Sequence, residues 1–308
     1  MRKAKKKIIM WIIFAFIIIN TGVFIAIPLF IMSSLDVHVK YDKIWTAEEF
    51  DLDAEHFFVK TDDGLNISAY EVKIDTPKVV IICLSGIHYP SATIYFGHAR
   101  LFKEHNFATF LLEMRAHGES EGNKICLGFK EWLDVKAIVQ YIKEKPLYKD
   151  VPIVIFGLSM GGSTAINSIG EIPDIDGLIS LSAYSSWEDV FQDNMSRTSK
   201  KIIAGINKPF VSLVTYLKFG SESFSIKPKK EIKKLGNRPA LLLHSKDDSQ
   251  VPYRSFGRLL ENAPSHVETF VRDGDIHFIT ENFSHPEEDK EYSDTIIAFI
   301  NKYFSNIN

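Results

Sequence analysis

Cysteine is almost missing from this chain. Only Cys83 and Cys126 occur among 308 residues, too few for a disulfide framework or a Cys-based zinc module. No His-Glu-x-x-His motif or other metal-spaced cluster is present, so neither a metal nor another cofactor is expected. No charge of one sign dominates: 36 Lys and Arg face 39 Asp and Glu, a net of −3, which excludes a generally basic nucleic-acid binder. Low-complexity tracts and internal repeats are missing, and 45% apolar with 24% charged residues excludes a mostly disordered chain. Acid is absent from the first 32 residues, which carry Arg2, Lys3, Lys5, Lys6 and Lys7 and leave 31 basic and 39 acidic residues for the other 276. A basic tip on an acidic body points to a membrane-related N-terminus.

Behind that tip, Ile8 to Met32 are 25 residues without a charge. As a helix they cover roughly 37 Å, enough to cross a hydrocarbon core of about 30 Å with some tilt. The run is too long for a cleaved signal peptide, and its exit, Pro28-Leu29-Phe30-Ile31-Met32, lacks an Ala-x-Ala-like site. It is also a poor match to a buried helix of a soluble domain. The basic cluster is expected on the cytoplasmic side, placing the body outside the cytoplasm on a single-pass anchor.

The remaining chain divides by pattern. Residues 1–7 form the basic tip, 8–32 the anchor, 33–53 a tether of little periodicity, and 54–308 the main domain. His56–Lys60 and Asn66–Lys73 read as strands joined by Asp62-Asp63-Gly64, a hairpin signal. Continuous apolar runs at Val79–Leu84, Phe107–Leu112, Val151–Phe156, Gly177–Leu181, Ala240–Leu243 and Val267–Val271 read as strands covered on both faces. Helical spacing relates Trp132, Val135, Ile138, Val139 and Ile142, and again Tyr292, Ile296, Phe299, Ile300 and Tyr303. The alternation predicts an α/β fold with a mostly parallel sheet and helices on both faces. About fifty residues, 185–235, interrupt it, longer than most strand-to-helix connections. Their apolar middle, Ile202 to Phe219, predicts a small helical cap.

Gly157-Leu158-Ser159-Met160-Gly161 fits G-x-S-x-G between an apolar run and a helix-compatible stretch. Small flanking residues allow the sharp strand-to-helix turn that presents a serine hydroxyl at a sheet edge. Such a serine needs a base, and the base needs a third group to orient it. In this class of fold the acid and then the histidine follow the serine. Asp247 and Asp248 come after the strand Ala240–Leu243, at the sheet end where α/β sites lie. Of the later histidines, His277 follows the last strand and its turn, whereas His266 and His285 read as surface residues.

These segments resemble, in the same order, those of the α/β-hydrolases, over about residues 54–304. The resemblance is to the small-cap branch that includes monoacylglycerol-lipase-like and serine-aminopeptidase-like members and bacterial esterases. Leu84-Ser85-Gly86-Ile87 matches the oxyanion loop. Glu113-Met114-Arg115-Ala116-His117-Gly118-Glu119-Ser120-Glu121-Gly122 resembles Asp-x-Arg-Gly-His-Gly-x-Ser-x-Gly. His244 to Pro252 resembles His-Gly-x-x-Asp-x-x-Val-Pro, which aligns the acid with Asp248, and Gly274-Asp275-Ile276-His277 resembles the Gly-x-x-His of the base. Ser85, Glu113, Ala116 and Ser245 depart from the usual His, Asp, Gly and Gly, and none of these removes a catalytic side chain.

The resemblance implies Ser159 as nucleophile, His277 as base, Asp248 as acid, and the backbone N–H groups of Ile87 and Met160 as the oxyanion hole. His88 and Tyr89, beside the oxyanion loop, and Phe210 and Leu217, on the cap, are candidate pocket residues. The expected function is a membrane-anchored serine hydrolase acting on a small-molecule or lipid-like carboxylic ester. Peptidase, thioesterase or acyltransferase activity with the same triad is the alternative, as is a catalytically silent binding module.

Overall fold

A computed structural model describes residues 2–304. Residue 1 of the expected basic tip and residues 305–308 of the expected main domain lie outside the described residues. The chain begins with helix α1 (Arg2–Ser33), then strands β1 (Glu55–Lys60), β2 (Asn66–Val72) and β3 (Val79–Leu84). Helix α2 (Phe96–Lys103), strand β4 (Phe107–Leu112), helix α3 (Trp132–Glu144), strand β5 (Ile153–Leu158) and helix α4 (Met160–Glu171) follow. After strand β6 (Gly177–Leu181) come four helices, α5 (Trp187–Thr198), α6 (Lys201–Phe219), α7 (Glu222–Ser225) and α8 (Pro228–Glu231). Strand β7 (Ala240–Ser245), helix α9 (Arg254–Leu260), strand β8 (Glu268–Arg272) and helix α10 (Lys290–Phe304) complete the chain.

One eight-stranded sheet runs in the order β1-β2-β4-β3-β5-β6-β7-β8. The leading hairpin is antiparallel and β2 meets β4 antiparallel, while every later pairing is parallel. All six residues of β3, β4, β5 and β7 are buried, because helices cover both faces and leave no side for polar alternation. On one face α3, α4 and α9 supply Val135, Ile138, Ala165, Ile166, Phe256 and Leu259. On the other, Phe96 and Phe102 of α2 pack with Ile296, Phe299 and Ile300 of α10. Chain order reverses around β3, so the loops after β3 and β5 open a crevice at the sheet's C-terminal edge. The insertion between β6 and β7 folds as α5 to α8 above that edge.

The segment 33–53, expected as a tether, is folded against the domain. Leu35 and Val39 join one core, and Trp45, Phe50 and Leu52 join the other. Backbone bonds fasten it: Val39 N–H donates to Ala116 O at 2.7 Å, Gly118 N–H to Val39 O at 3.0 Å and Ile125 N–H to Leu35 O at 2.8 Å. We call it the strap. Its contacts are divided between loops and helix α2, where Phe50 meets Phe96 and Arg100, so it carries neither helical nor strand period.

Helix α1 is long and apolar enough to cross a membrane by length and composition. Ile8, Ile9, Met10, Trp11, Ile12, Ile13, Phe14, Phe16, Ile18 and Ile19 are exposed. From Asn20 onward the helix meets the domain along α6. Pro28 lies inside α1 and has no N–H to give to the carbonyl one turn back. Buried Asn207 of α6 supplies the missing donor, its Nδ2 reaching Phe24 O at 3.3 Å. Beside it the rings of Phe24 and Phe210 stack at 5.6 Å.

Candidate active site

The turn from β5 to α4 carries Ser159 with φ 57° and ψ −116°, a strained conformation for a residue with a side chain. Its N–H donates to Leu181 O at 2.8 Å, tying the turn to β6. The neighbouring glycines are required by space. A Cβ on Gly157 would lie 2.2 Å from Gly161 O, and one on Gly161 would lie 2.3 Å from Leu84 O. The pentapeptide pattern is therefore the steric condition for packing β5, β3 and the start of α4 around one serine. Ser159 is 9% exposed and lines two cavities, of about 540 Å³ and 190 Å³.

At the end of β7, Asp248 is fully buried while Asp247 is exposed. Asp248 Oδ1 accepts the N–H groups of Gln250 and Val251, each at 2.8 Å. Its Oδ2 lies 2.8 Å from His277 Nδ1. Burial works to raise the Asp248 pKa, but the hydrogen bond and charge of His277, with the Val251 N–H, hold it below the usual carboxylate value. Ser182 Oγ donates to His277 O at 2.7 Å, fixing the loop after β8. His277 and Ser159 both line the smaller cavity. The structure thus brings Ser159, Asp248 and His277 to one edge of the sheet. Here an imidazole held through Nδ1 leaves Nε2 for proton transfer. His266 and His285 lie elsewhere, bonded to Arg238 O and facing Glu287.

Ile87 and Met160 both line the larger cavity beside Ser159. Met160 is the first residue of α4, where an N–H has no intrahelical acceptor, and among the described residues neither N–H donates to another group. Tyr89 lines the smaller cavity, against His277 and Phe278. Three candidate pocket residues fall elsewhere. His88 is exposed on the turn after Ile87 and lines neither cavity. Phe210 is taken up by its stack with Phe24, and Leu217, 70% exposed, points outward from α6. The cap face over Ser159 comes instead from α5, with Trp187, Val190, Phe191, Asn194, Met195 and Thr198. Helix α1 adds Ile27 and Ile31 to the same wall.

Two supporting residues, Glu113 and Ser245, escape sequence reasoning. Glu113, at the end of β4, accepts Ser91 Oγ–H, Ala92 N–H at 3.0 Å and Tyr41 O–H at 3.1 Å. It thereby joins the strap to the segment that follows the oxyanion loop. Burial pushes its pKa up to about 7 against those three bonds. Ser245 donates to Gly274 O and accepts Ile276 N–H at 3.0 Å, linking the end of β7 to the loop that carries His277. Its departure from glycine is the sequence signal for that role. Arg115, which reads in the sequence as a residue that holds loops together, pairs with buried Asp134 and with Asp63. Among the described residues no group of three or more His, Cys, Asp or Glu is placed to hold a metal ion.

Known proteins share this fold in outline. The family profile described as serine aminopeptidase, S33, matches residues 75–215. The uncharacterized protein YqkD of Bacillus subtilis is 25% identical over 247 residues, covering 79% of this chain and 78% of that protein. Protein bem46 of Schizosaccharomyces pombe is 25% identical over 218 residues, 68% of this chain and 66% of its own. The esterase Pf2001 of Pyrococcus furiosus superposes with a TM-score of 0.66 at 20% identity, over 87% of this chain and 99% of that one. With the parallel sheet, the strained serine turn and the matched central segment in agreement, the chain has the α/β-hydrolase fold.

Proposed function

We propose that the protein is a membrane-anchored serine hydrolase that cleaves carboxylic esters through an acyl-enzyme on Ser159. The observation that carries this reading is the convergence of a strained, cavity-facing Ser159 with the hydrogen-bonded pair His277–Asp248. His277 takes the Ser159 proton as the oxygen attacks the carbonyl, then returns it to the departing alcohol. Asp248 holds the imidazole in the required tautomer and stabilises its charged form. The N–H groups of Ile87 and Met160 face the developing oxyanion, each such donor contributing about 3 kcal/mol in comparable sites. Water activated by the same histidine then releases the acid.

The lining favours an ester over a peptide N-terminus. An aminopeptidase has to pair the substrate's ammonium group, yet no Asp or Glu lines either cavity among the described residues. The larger cavity is walled by Trp187, Val190, Phe191, Met195, Ile27 and Ile31, suited to an uncharged acyl chain. The relative Pf2001 is described as an esterase. Helix α1 serves as the anchor, with Lys6 and Lys7 on the cytoplasmic side and the domain outside.

Labelling by a fluorophosphonate and hydrolysis of p-nitrophenyl esters test the chemistry. The wild-type chain should do both and Ser159→Ala neither, at an unchanged Tm. A Ser159→Ala chain that still turns over at the wild-type rate would overturn the assignment. Protease added to intact cells should digest the domain; a protected domain would reverse the topology.

A further inference from the structure

We propose that the outer part of α1 is a wall of the acyl pocket as well as an anchor, so that Ile27 and Ile31 help set specificity for a long-chain acyl ester drawn from the surrounding lipid. This rests on the esterase reading above and names its substrate class.

Ile27 and Ile31 are one turn apart and share a helical face, and both line the 540 Å³ cavity together with Val190, Phe191 and Met195. The adjoining face is fixed to the domain by specific contacts. The Phe24 carbonyl freed by Pro28 is bonded to Asn207, Met32 is buried beside Thr215, and Lys218 pairs with Asp36. The paired numbers rise together along both helices, so α6 runs alongside α1 in the same direction. The remaining face turns away, with Leu29 51% and Phe30 80% exposed.

Length supplies an independent argument. The apolar stretch that stands clear of the domain, Ile8 to Ile19, is 12 residues, or about 18 Å of helix. A hydrocarbon core is about 30 Å thick, so an anchor starting at Ile8 stays in hydrocarbon for roughly eight further residues, to about Ile27. That level is where the pocket wall begins. Deeper in the hydrocarbon, beside Ile19 to Val23 in the register of the two helices, α6 presents exposed Ile202, Ile203 and Ile206, apolar surface suited to lipid. An acyl chain leaving the bilayer beside α1 therefore meets an apolar wall continuous with the space above Ser159.

The test uses the full chain in phosphatidylcholine nanodiscs. Tryptophan at Ile27 or Ile31 should lower the ratio of kcat/KM for dodecanoyl over acetyl p-nitrophenyl esters at least tenfold, whereas Leu29→Trp should leave the ratio unchanged. A ratio that stays constant in all three variants overturns the proposal. A second readout needs no turnover. In a Ser159→Ala background, maleimide labelling of an Ile27→Cys chain should slow at least fivefold with dodecanoate, and that of a Leu29→Cys chain should not. The native Cys83 and Cys126 are buried and leave the signal clean. Equal protection of both positions, or of neither, overturns the wall. A wild-type chain that resists fluorophosphonate would instead remove the esterase reading, with the protection experiment still deciding the pocket.

Discussion

The guanidinium of Arg197, in the last turn of α5, donates to the backbone carbonyls of Asp248 at 2.7 Å and Ser249 at 2.5 Å. The cap therefore grips the loop that presents the acid, and Asn194 adds a bond to Gln250 O at 2.9 Å. Cap position and the orientation of His277 are coupled through this contact. Arg197→Ala should lower kcat by roughly 10- to 100-fold, the range expected for a small misplacement of reacting groups. KM for an acetyl ester and the Tm should change little. Arg197→Lys should rescue in part, since one ammonium cannot reproduce the two-pronged contact. A loss confined to KM, or a large fall in Tm, would identify a merely structural residue.

The two adjacent acids separate cleanly. Asp248→Asn keeps the shape but reverses the tautomer preference of His277, and kcat should fall by about 10⁴-fold. Asp247 is exposed, so Asp247→Asn should remain within about twofold, as surface changes do. Steady-state kinetics on one ester with both variants checks the ranking.

The glycines offer a paired stability test. Gly161→Ala places a Cβ 2.3 Å from Leu84 O and 2.4 Å from Ser85 O, both main-chain atoms. It should cost about 3 kcal/mol or more, because strand backbone cannot yield. Gly257 lies inside α9 with nothing within 4 Å of its added Cβ. Gly257→Ala should stabilise by about 0.5–1 kcal/mol through helix propensity. Urea denaturation of the two variants reads both signs.

Glu113 gives a pH dependence of defined sign. Its folded pKa is raised by burial to about 7, above the ordinary value of 4.5. Between those values the folded state binds more protons at this position than the unfolded state, so its contribution to stability falls as pH rises. The benefit is fully present below pH 4.5 and gone above about pH 7. Glu113→Gln removes the titration, so its stability relative to wild type should improve from pH 5 to about pH 7 and level off towards pH 8. A difference that stays flat in thermal melts across that range would show Glu113 to be ionised throughout and overturn the prediction.

Much of this fold is legible in the sequence because burial on both faces leaves continuous apolar runs. Val79–Leu84 and Phe107–Leu112 coincide with strands, while Val151–Phe156 starts before the strand, which opens at Ile153 after Pro152. Ser159 is legible from the small residues its turn demands. The pocket is less so. Phe210 and Leu217 look like pocket residues by apolarity alone, yet which face of α6 turns inward depends on α1. Glu113 and Ser245 are single polar residues whose partners, Tyr41 and Ile276, come from distant segments, and no local pattern announces such a bond.

The strap is the least legible element and the subject of the last prediction. Its buried residues, Leu35, Val39, Trp45, Phe50 and Leu52, are unevenly spaced because they pack against different parts of the domain, in two separate cores. Each such aromatic or aliphatic side chain contributes about 1.5–3 kcal/mol on burial, against a total stability of about 5–15 kcal/mol for a domain. A chain shortened to begin at residue 54 uncovers the surfaces these side chains fill and loses the Tyr41 bond to Glu113. A chain beginning at residue 34 keeps both and loses only α1. The longer fragment should be soluble and melt cooperatively, and the shorter should aggregate or melt at least 10 °C lower. In the longer fragment Trp45→Ala alone should cost about 3 kcal/mol, the lower end for a large aromatic in a core. Equal melting of the two fragments would return residues 33–53 to the status of a simple linker.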